Sequence, residues 1–167
     1  RLREGKMKKL VKLNLVLAFL LIFALSGCGS ADPVAEDLTR FVNTDMTDVN
    51  ANSEALREET DRWENFSSDS EFIESLTENV LPNINESLEL IKNVAPATEE
   101  VDELKEKYRA VLLAYKDGYG TILQAFQSGD SDKLESGAAK VNEGNSLLDE
   151  YNAALSALAE EKGLSVN

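Results

Sequence analysis

The chain has 167 residues, of which 17 are Lys or Arg and 31 are Asp or Glu, and its formal net charge is −14, with no His and one Cys. The lack of His excludes Ser-His and Cys-His nucleophile pairs, His-bearing zinc sites and a His-ligated haem, and the acidic balance argues against nucleic acid as a partner. No carboxylate pair has a spacing that indicates an acid-base dyad, so we expect no enzyme activity, no catalytic residue, no metal site and no cofactor.

Basic residues are concentrated at the start of the chain. Positions 1–27 hold six of the 17 basic residues and one acidic residue, which leaves 11 basic and 30 acidic residues in positions 28–167, a net charge of −19. This split separates a targeting segment from an acidic body. Residues 1–6 precede Met7, where a signal peptide would begin, and are interpreted as an over-extended gene start. A longer basic region of the targeting segment is the alternative.

A basic stretch followed by an apolar one fills the rest of this segment. Lys8, Lys9 and Lys12 supply positive charge, and every residue from Leu15 to Leu25 is apolar. A membrane-spanning helix needs about 20 apolar residues. The apolar run of 11 residues therefore predicts a signal peptide over positions 7–27 rather than a membrane span.

The apolar run leads into the motif Leu25-Ser26-Gly27-Cys28. Together with the basic and apolar stretches before it, this motif resembles the lipobox of bacterial prolipoproteins over residues 7–28. The resemblance implies that lipid is attached to the Cys28 thiol and that the signal peptide is cut just before it. Cys28 would then anchor the protein to the extracytoplasmic face of the cell membrane, with residues 28–33 as a tether. The alternative is an unmodified signal peptide with an incidental Cys.

From residue 34 onwards, apolar residues recur at the three- and four-residue spacing of an amphipathic helix. The first predicted helix runs from about Pro33 to Phe66. The motif Ser68-Asp69-Ser70-Glu71 predicts a capping box at the start of the second helix. Pro82 falls inside the second helix, where it removes a backbone hydrogen bond and predicts a kink around the core. A kink that opens a pocket and a true break of the helix are the alternatives.

The third and fourth helices are bounded by residues that start or stop helices. Pro96 ends the second helix, and Thr98 is expected to cap the third, whose apolar residues keep a regular three-four alternation. Gly129 is expected just past the end of the third helix. The fourth helix follows directly, capped by Asp130 or Ser131.

Four long helices joined by short loops, with no strand signal, determine the predicted fold class. Helices that are joined by loops of about three to five residues must run antiparallel to their neighbours. We therefore predict an all-α fold, an antiparallel up-down-up-down four-helix bundle over residues 34–163 behind a lipoprotein signal peptide. Residues 164–167 are expected to form a tail.

Tyrosines and glycines face each other across the last two predicted helices. The third helix carries Tyr108, Tyr115, Tyr119 and Phe126, and the fourth carries Gly137, Gly144 and Tyr151. Folding the two helices about residues 128–130 places Gly144 near Tyr115 and Tyr151 near Tyr108. Large rings that face glycine favour an interdigitated core, and a Tyr-lined cavity for a small apolar or aromatic ligand is the alternative. Gly118 and Gly120 predict a close backbone approach or a bend.

One stretch of acidic and amide residues superficially matches a calcium loop. Its residues are Asp48, Asn50, Asn52 and Glu59. The sixth position is Ser53, where the loop requires Gly, so calcium is not predicted here. The acidic runs elsewhere are interpreted as solvated helix faces, with diffuse binding of divalent cations as the alternative.

The body is similar to the small helical lipoproteins of Gram-positive-type bacteria that carry no assigned function. The similarity lies in the run Asn145-Ser146-Leu147-Leu148-Asp149-Glu150-Tyr151 and in Ser128-Gly129-Asp130. It implies an extracytoplasmic helical bundle and carries over no functional residues. We expect a membrane-anchored lipoprotein whose bundle is a non-enzymatic interaction module for an envelope protein. The alternative is a bundle that binds a small ligand or a divalent cation.

Overall fold

A computed structural model describes the backbone of residues 23–24 and 32–166, and the side chains of residues 32–164. Within these ranges the fold is all-α, which confirms the predicted class. Its α-helices are α1 (Pro33–Arg40), α2 (Thr47–Asp61), α3 (Asp69–Ser75), α4 (Leu81–Asn93), α5 (Glu99–Ser128) and α6 (Ser131–Glu161). They are accompanied by two π-helical turns, Phe41–Asp45 and Leu76–Val80, and by a 3₁₀ turn, Arg62–Asn65.

A short antiparallel ladder joins the two ends of the described chain. It pairs β1 (Phe23–Ala24) with β2 (Ser165–Val166). Each strand of this ladder has two residues, which is too short to show the alternation of apolar and polar residues that predicts a strand. Just before β2, Leu164 is buried, and its backbone N–H donates to the Ala159 carbonyl at 2.9 Å.

The helix ends follow the signals in the sequence. The Ser68 hydroxyl accepts from the Glu71 N–H, and the Glu71 carboxylate accepts from the Ser68 N–H, so the predicted capping box is confirmed. Gly129 ends α5 in the left-handed region at φ 68°, and the Asp130 carboxylate caps α6 by accepting from two backbone N–H groups. Asp32 caps α1 in the same way.

The first helical segment, residues 33–65, departs from the predicted regular helix. In the turn Phe41–Asp45 each hydrogen bond spans one residue more than in an α-helix, and the Met46 N–H donates to the Phe41 carbonyl at 2.9 Å. The extra residue brings Asp45 to Arg40, whose Nε donates to Oδ2 at 3.2 Å across a five-residue separation. An α-helix places neighbours three or four residues apart, so its pattern does not predict this pair.

The second helical segment, residues 69–93, passes Pro82 without a break. A π-helical turn, Leu76–Val80, precedes the proline, and the Leu81 N–H donates to the Leu76 carbonyl. The turn shifts the hydrogen-bond register, so that Pro82 stands in the first turn of α4, where its missing N–H disrupts least. The irregularity in this helix is therefore a π-turn, and the backbone stays helical through it.

The helices α5 and α6 form the most extensive contact in the described part of the chain. They run antiparallel, because residues later in α5 meet residues earlier in α6. Gly118 lies against Gly137, and Gly144 lies against the Tyr115 ring. A Cβ built at Gly144 would stand 2.6 Å from two Tyr115 ring carbons, so only glycine lets the ring lie there. The predicted pairing of Gly144 with Tyr115 is confirmed.

Hydrogen bonds and ring contacts give the directions of the other segments. Asp37 near the start of the first segment bonds residues 97–98, and Glu59 near its end bonds Ser75, so the first two segments run in opposite directions. The Ser53 hydroxyl lies 2.7 Å from that of Tyr108, and further along both segments Trp63 meets Tyr119 with ring centroids 5.8 Å apart. The first segment and α5 therefore run in the same direction.

The core is one continuous apolar cluster between the helices. Its largest fully buried side chains are Leu38, Phe41, Met46, Leu76, Ile84, Ile91, Tyr119 and Leu134. All of these residues except Tyr119 belong to the apolar helical pattern of the sequence, which places them on the inward faces of the helices. Among the described residues, none of the helices combines the length and the apolar character that crossing a membrane requires.

Candidate functional site

The predicted lipidation residue, Cys28, lies outside the described residues, so its modification stays a prediction. The described body begins close to it, at Asp32, whose side chain accepts from the Val34 N–H at 2.9 Å. Lys162 Nζ, just past the end of α6, lies 3.4 Å from Asp32 Oδ2. The described body therefore begins where α1 starts and α6 ends.

A buried carboxylate fixes this same end of the body. Asp37 on α1 is 4% exposed, and its Oδ2 accepts from the Ala97 N–H, the Thr98 N–H and the Thr98 hydroxyl, each at 2.8 Å. Its Oδ1 accepts from Arg40 Nη2 at 2.7 Å. The same guanidinium donates to the Ala95 carbonyl at 3.2 Å, so Asp37 and Arg40 together bond three residues of the 94–98 loop. We call this set of hydrogen bonds the Asp37 clamp.

The Asp37 clamp corrects the predicted cap of α5. Thr98 does occupy the N-cap position, but its side chain makes no capping bond to α5 and donates to Asp37 instead. A carboxylate at a helix N-terminus also complements the helix dipole. The start of α5 is thus capped by a residue about sixty positions earlier, which no local sequence pattern reveals.

An open cleft of about 440 Å³ lies beside the clamp and the first π-turn. Its lining residues are Arg40, Asp45, Leu90, Asn93, Val94 and Ala95. Arg40 is 46% exposed in its side chain and carries the guanidinium that joins Asp37 and Asp45. The cleft therefore presents the ion pair of Arg40 and Asp45 beside two apolar side chains, Leu90 and Val94.

A second buried polar network lies at the other end of the first segment. Trp63 Nε1 donates to Ser75 Oγ at 2.7 Å, and Ser75 Oγ donates to Glu59 Oε1 at 2.6 Å. Glu59 Oε1 also accepts from Asn79, and Oε2 accepts from Arg62 Nη1 at 2.6 Å. Ser75 is 2% exposed, which leaves its hydroxyl no access for a substrate, so the network is structural.

The Glu59 network also bears on the calcium-loop match. Residues 48–59 lie within α2, so their side chains point around a helix and cannot wrap an ion as a loop does. Glu59 turns inward to Ser75 rather than towards Asp48. In the described ranges no group of three His, Cys, Asp or Glu residues is arranged to hold a metal ion.

The Tyr and Gly seam between α5 and α6 is closely packed. Tyr115 donates to Asn145 Oδ1 at 2.8 Å, and Tyr108 lies 2.7 Å from the Ser53 hydroxyl. The rings of Tyr108 and Tyr151 meet edge to face, with centroids 5.0 Å apart, which confirms the predicted proximity of these two residues. These contacts favour the interdigitated core over a ligand cavity at mid-seam.

Burial raises the pKa of all four tyrosines of the chain above the ordinary 10.0. The cause is desolvation, which disfavours the phenolate. For Tyr115, the negative charge that Tyr119, Tyr108 and Asp149 carry when ionised adds to the rise of the pKa. Tyr119 is fully buried, and its hydroxyl has no hydrogen-bond partner among the described residues.

We expect alkaline titration to unfold the chain before its tyrosines ionise in the folded state. Because the folded pKa values are raised, the tyrosine contribution to stability is fully present below pH 10.0 and is lost as the pH rises above it. Tyrosinate absorbance and far-ultraviolet circular dichroism should change together in one titration of the full chain, and the urea-unfolded chain should titrate near the ordinary value. Tyrosinate absorbance that rises while the helix signal is intact would contradict the buried positions.

A second surface depression lies on the outer side of α5 and α6, and no pattern in the sequence indicates it. Its volume is about 270 Å³. Its lining residues are Ala110, Leu113, Ala114, Asp117, Lys140, Glu143 and Leu147. We call it the α5–α6 groove.

In comparisons with known proteins, no family model, no curated protein and no solved structure matches this chain. The features that bear on function are the lipobox-like motif predicted from the sequence, the Asp37 clamp with its cleft and the α5–α6 groove. The sequence pattern predicted only the first of these.

Proposed function

We propose that this chain is a membrane-anchored extracytoplasmic lipoprotein, held by lipid on Cys28, whose helical body is a non-enzymatic interaction module. One observation carries the proposal. A basic stretch, an apolar run and the lipobox follow one another over residues 7–28, and a capped helix begins at Asp32. Lipid on a residue so close to the fold would tether the body directly at the membrane surface.

We further propose the antiparallel up-down-up-down four-helix bundle as the arrangement of the body. Its four members would be residues 33–65, residues 69–93, α5 and α6. The opposite directions of the first two segments and of α5 and α6, together with the common direction of the first segment and α5, support this topology. The short connections, residues 66–68, 94–98 and 129–130, support it as well.

The polar groups of the body suit binding to a partner rather than catalysis. The buried carboxylates of Asp37 and Glu59 are satisfied by donors of the chain itself. Most other acidic side chains of the described part are exposed or half-exposed. An acidic surface on a permanent anchor suits association with a partner of opposite charge.

Crosslinking on intact cells at native abundance tests the proposal. We expect affinity recovery of the full-length gene product to yield a specific protein of the cell envelope. A Cys28→Ala variant is the control, because it should lose the anchor and with it the enrichment of that partner. Recovery of the chain alone, in repeated crosslinking with reagents of different reach, would contradict an interaction module.

The cleft beside Arg40 supports a second candidate function, the binding of a small ligand. The ion pair of Arg40 and Asp45 beside the apolar side chains of Leu90 and Val94 suits a small molecule with an apolar group and polar groups that bond both charges. A thermal-shift screen of the full chain with small carboxylates and divalent cations distinguishes this candidate, because a ligand of the folded state raises Tm. An Arg40→Ala variant should lose any such shift, and no shift with any compound counts against the candidate.

A further inference from the structure

The α5–α6 groove has an apolar centre that reaches the surface, although Leu147 also packs against the core. Its apolar part is formed by Ala110, Leu113, Ala114 and Leu147. Leu113 is 40% exposed, and it is the one large hydrophobic residue of the described part that lies exposed at the surface. The two alanines have little side-chain volume, so the space between the two leucines stays open.

Charged residues border this apolar centre. Asp117 and Glu143 line the groove together with the half-buried Lys140. Helix periodicity places the exposed acid Glu150 on the same face of α6, one turn after Leu147, while Glu106, two turns before Leu113, is paired with Lys105 and Arg109. Acidic side chains therefore stand on both sides of the apolar centre along the groove.

We infer that the α5–α6 groove is the docking site of a basic amphipathic helix from a partner protein. An apolar side chain of that helix would fill the space between Leu113 and Leu147, and its Lys or Arg residues would face Asp117 and Glu143. This inference rests on the proposed function as an interaction module and names the surface and the chemistry of the partner.

The net negative charge of the body favours a basic helix over other occupants of the groove. Residues 28–167 carry a net charge of −19, so a second copy of the chain would bring like charge to the acidic borders. An anionic membrane surface would be repelled for the same reason. A helix that offers both an apolar face and positive flanks matches both features of the groove.

A designed peptide probe tests the inference on the full chain held in zwitterionic nanodiscs. The probe is an amphipathic helical peptide with an apolar face of Leu and Ala and with Lys residues on its flanks, and it is labelled for fluorescence anisotropy. A control peptide has the same apolar face but carries Glu residues on its flanks. We expect the Lys peptide to bind more tightly than the Glu peptide, with a Kd that rises with salt. Empty nanodiscs give the background.

Variants of the chain locate the binding. Leu113→Asp should raise Kd by about tenfold, because it removes an apolar contact and sets a charge against the apolar face. The double variant Asp117→Asn with Glu143→Gln should remove most of the salt dependence. Asn85→Asp adds the same charge at an exposed position of α4, away from the groove, and should leave Kd unchanged.

Three results would overturn the inference: equal Kd values for Leu113→Asp and Asn85→Asp, equal binding of the Lys and Glu peptides, or a self-association of the full chain that Leu113→Asp abolishes. The cellular crosslinking separates this outcome from failure of the proposed function. If Leu113→Asp still recovers the envelope partner, the groove assignment fails and the interaction module stands. If the unaltered chain recovers no partner, the proposed function fails.

Discussion

Replacing Gly137 with Ala should lower the free energy of unfolding by about 2 kcal/mol, although alanine is the better helix former. A Cβ at Gly137 would stand 2.9 Å from the Gly118 carbonyl oxygen and 2.9 Å from the Ile122 backbone nitrogen. Backbone atoms cannot rotate away as a side-chain end can, so α5 and α6 would have to move apart. That overpacking outweighs the helix preference of alanine, which is worth about 1 kcal/mol.

The matched control for Gly137→Ala is Gly120→Ala on the facing helix. Apart from its chain neighbours and the nearby backbone of its own helix, no atom lies within 4 Å of a Cβ built at Gly120, so the same substitution should raise stability by about 1 kcal/mol. Urea unfolding of the full chain, followed by circular dichroism, measures both variants. Equal effects of the two substitutions would contradict the close approach of α5 and α6.

Replacing Asp37 with Ala should lower the free energy of unfolding by about 3 kcal/mol. The substitution would leave the Ala97 N–H, the Thr98 N–H and the Thr98 hydroxyl without their shared acceptor. It would also remove the carboxylate that caps the start of α5. The loss should appear in urea unfolding and as faster amide hydrogen exchange in the first turn of α5.

The control for Asp37→Ala is Asp45→Ala, which removes the other carboxylate partner of Arg40. The Asp45 side chain is 23% exposed and accepts one hydrogen bond from the guanidinium. Its loss should cost less than about 1 kcal/mol. If Asp45→Ala destabilised the chain as much as Asp37→Ala, the clamp on residues 97–98 would not be the dominant interaction at this end.

Much of the local structure was predictable because its causes lie within a few residues. The Ser68 and Glu71 capping box and the left-handed Gly129 are local chemistry, and both are confirmed. The pairing of Gly144 with Tyr115 was also predictable, because a two-residue turn between long helices determines their register. Helix periodicity likewise predicted most of the residues that point into the core.

Other features depend on neighbours that are distant in the chain. Nothing in the sequence pattern distinguishes Asp37 from a surface acid. It is buried because residues 97–98, which are distant in the chain, lie against its carboxylate. Gly118 and Gly120 look alike in sequence, but only Gly118 faces α6 closely. No proline follows the π-turn at 41–45, so the sequence offers no local signal for it. Leu113 is exposed because of the way α5 and α6 pack, which its residue type does not predict.

The anchor is tested most directly by mass spectrometry of the N-terminal peptide of the protein, isolated from the membranes of cells that express the full-length gene. We expect this peptide to begin at Cys28 and to carry lipid, and we expect Cys28→Ala to stay uncut and unlipidated. An N-terminal peptide that begins elsewhere or carries no lipid, or a Cys28→Ala variant that is processed and retained in the membrane like the unaltered chain, would contradict the lipoprotein proposal.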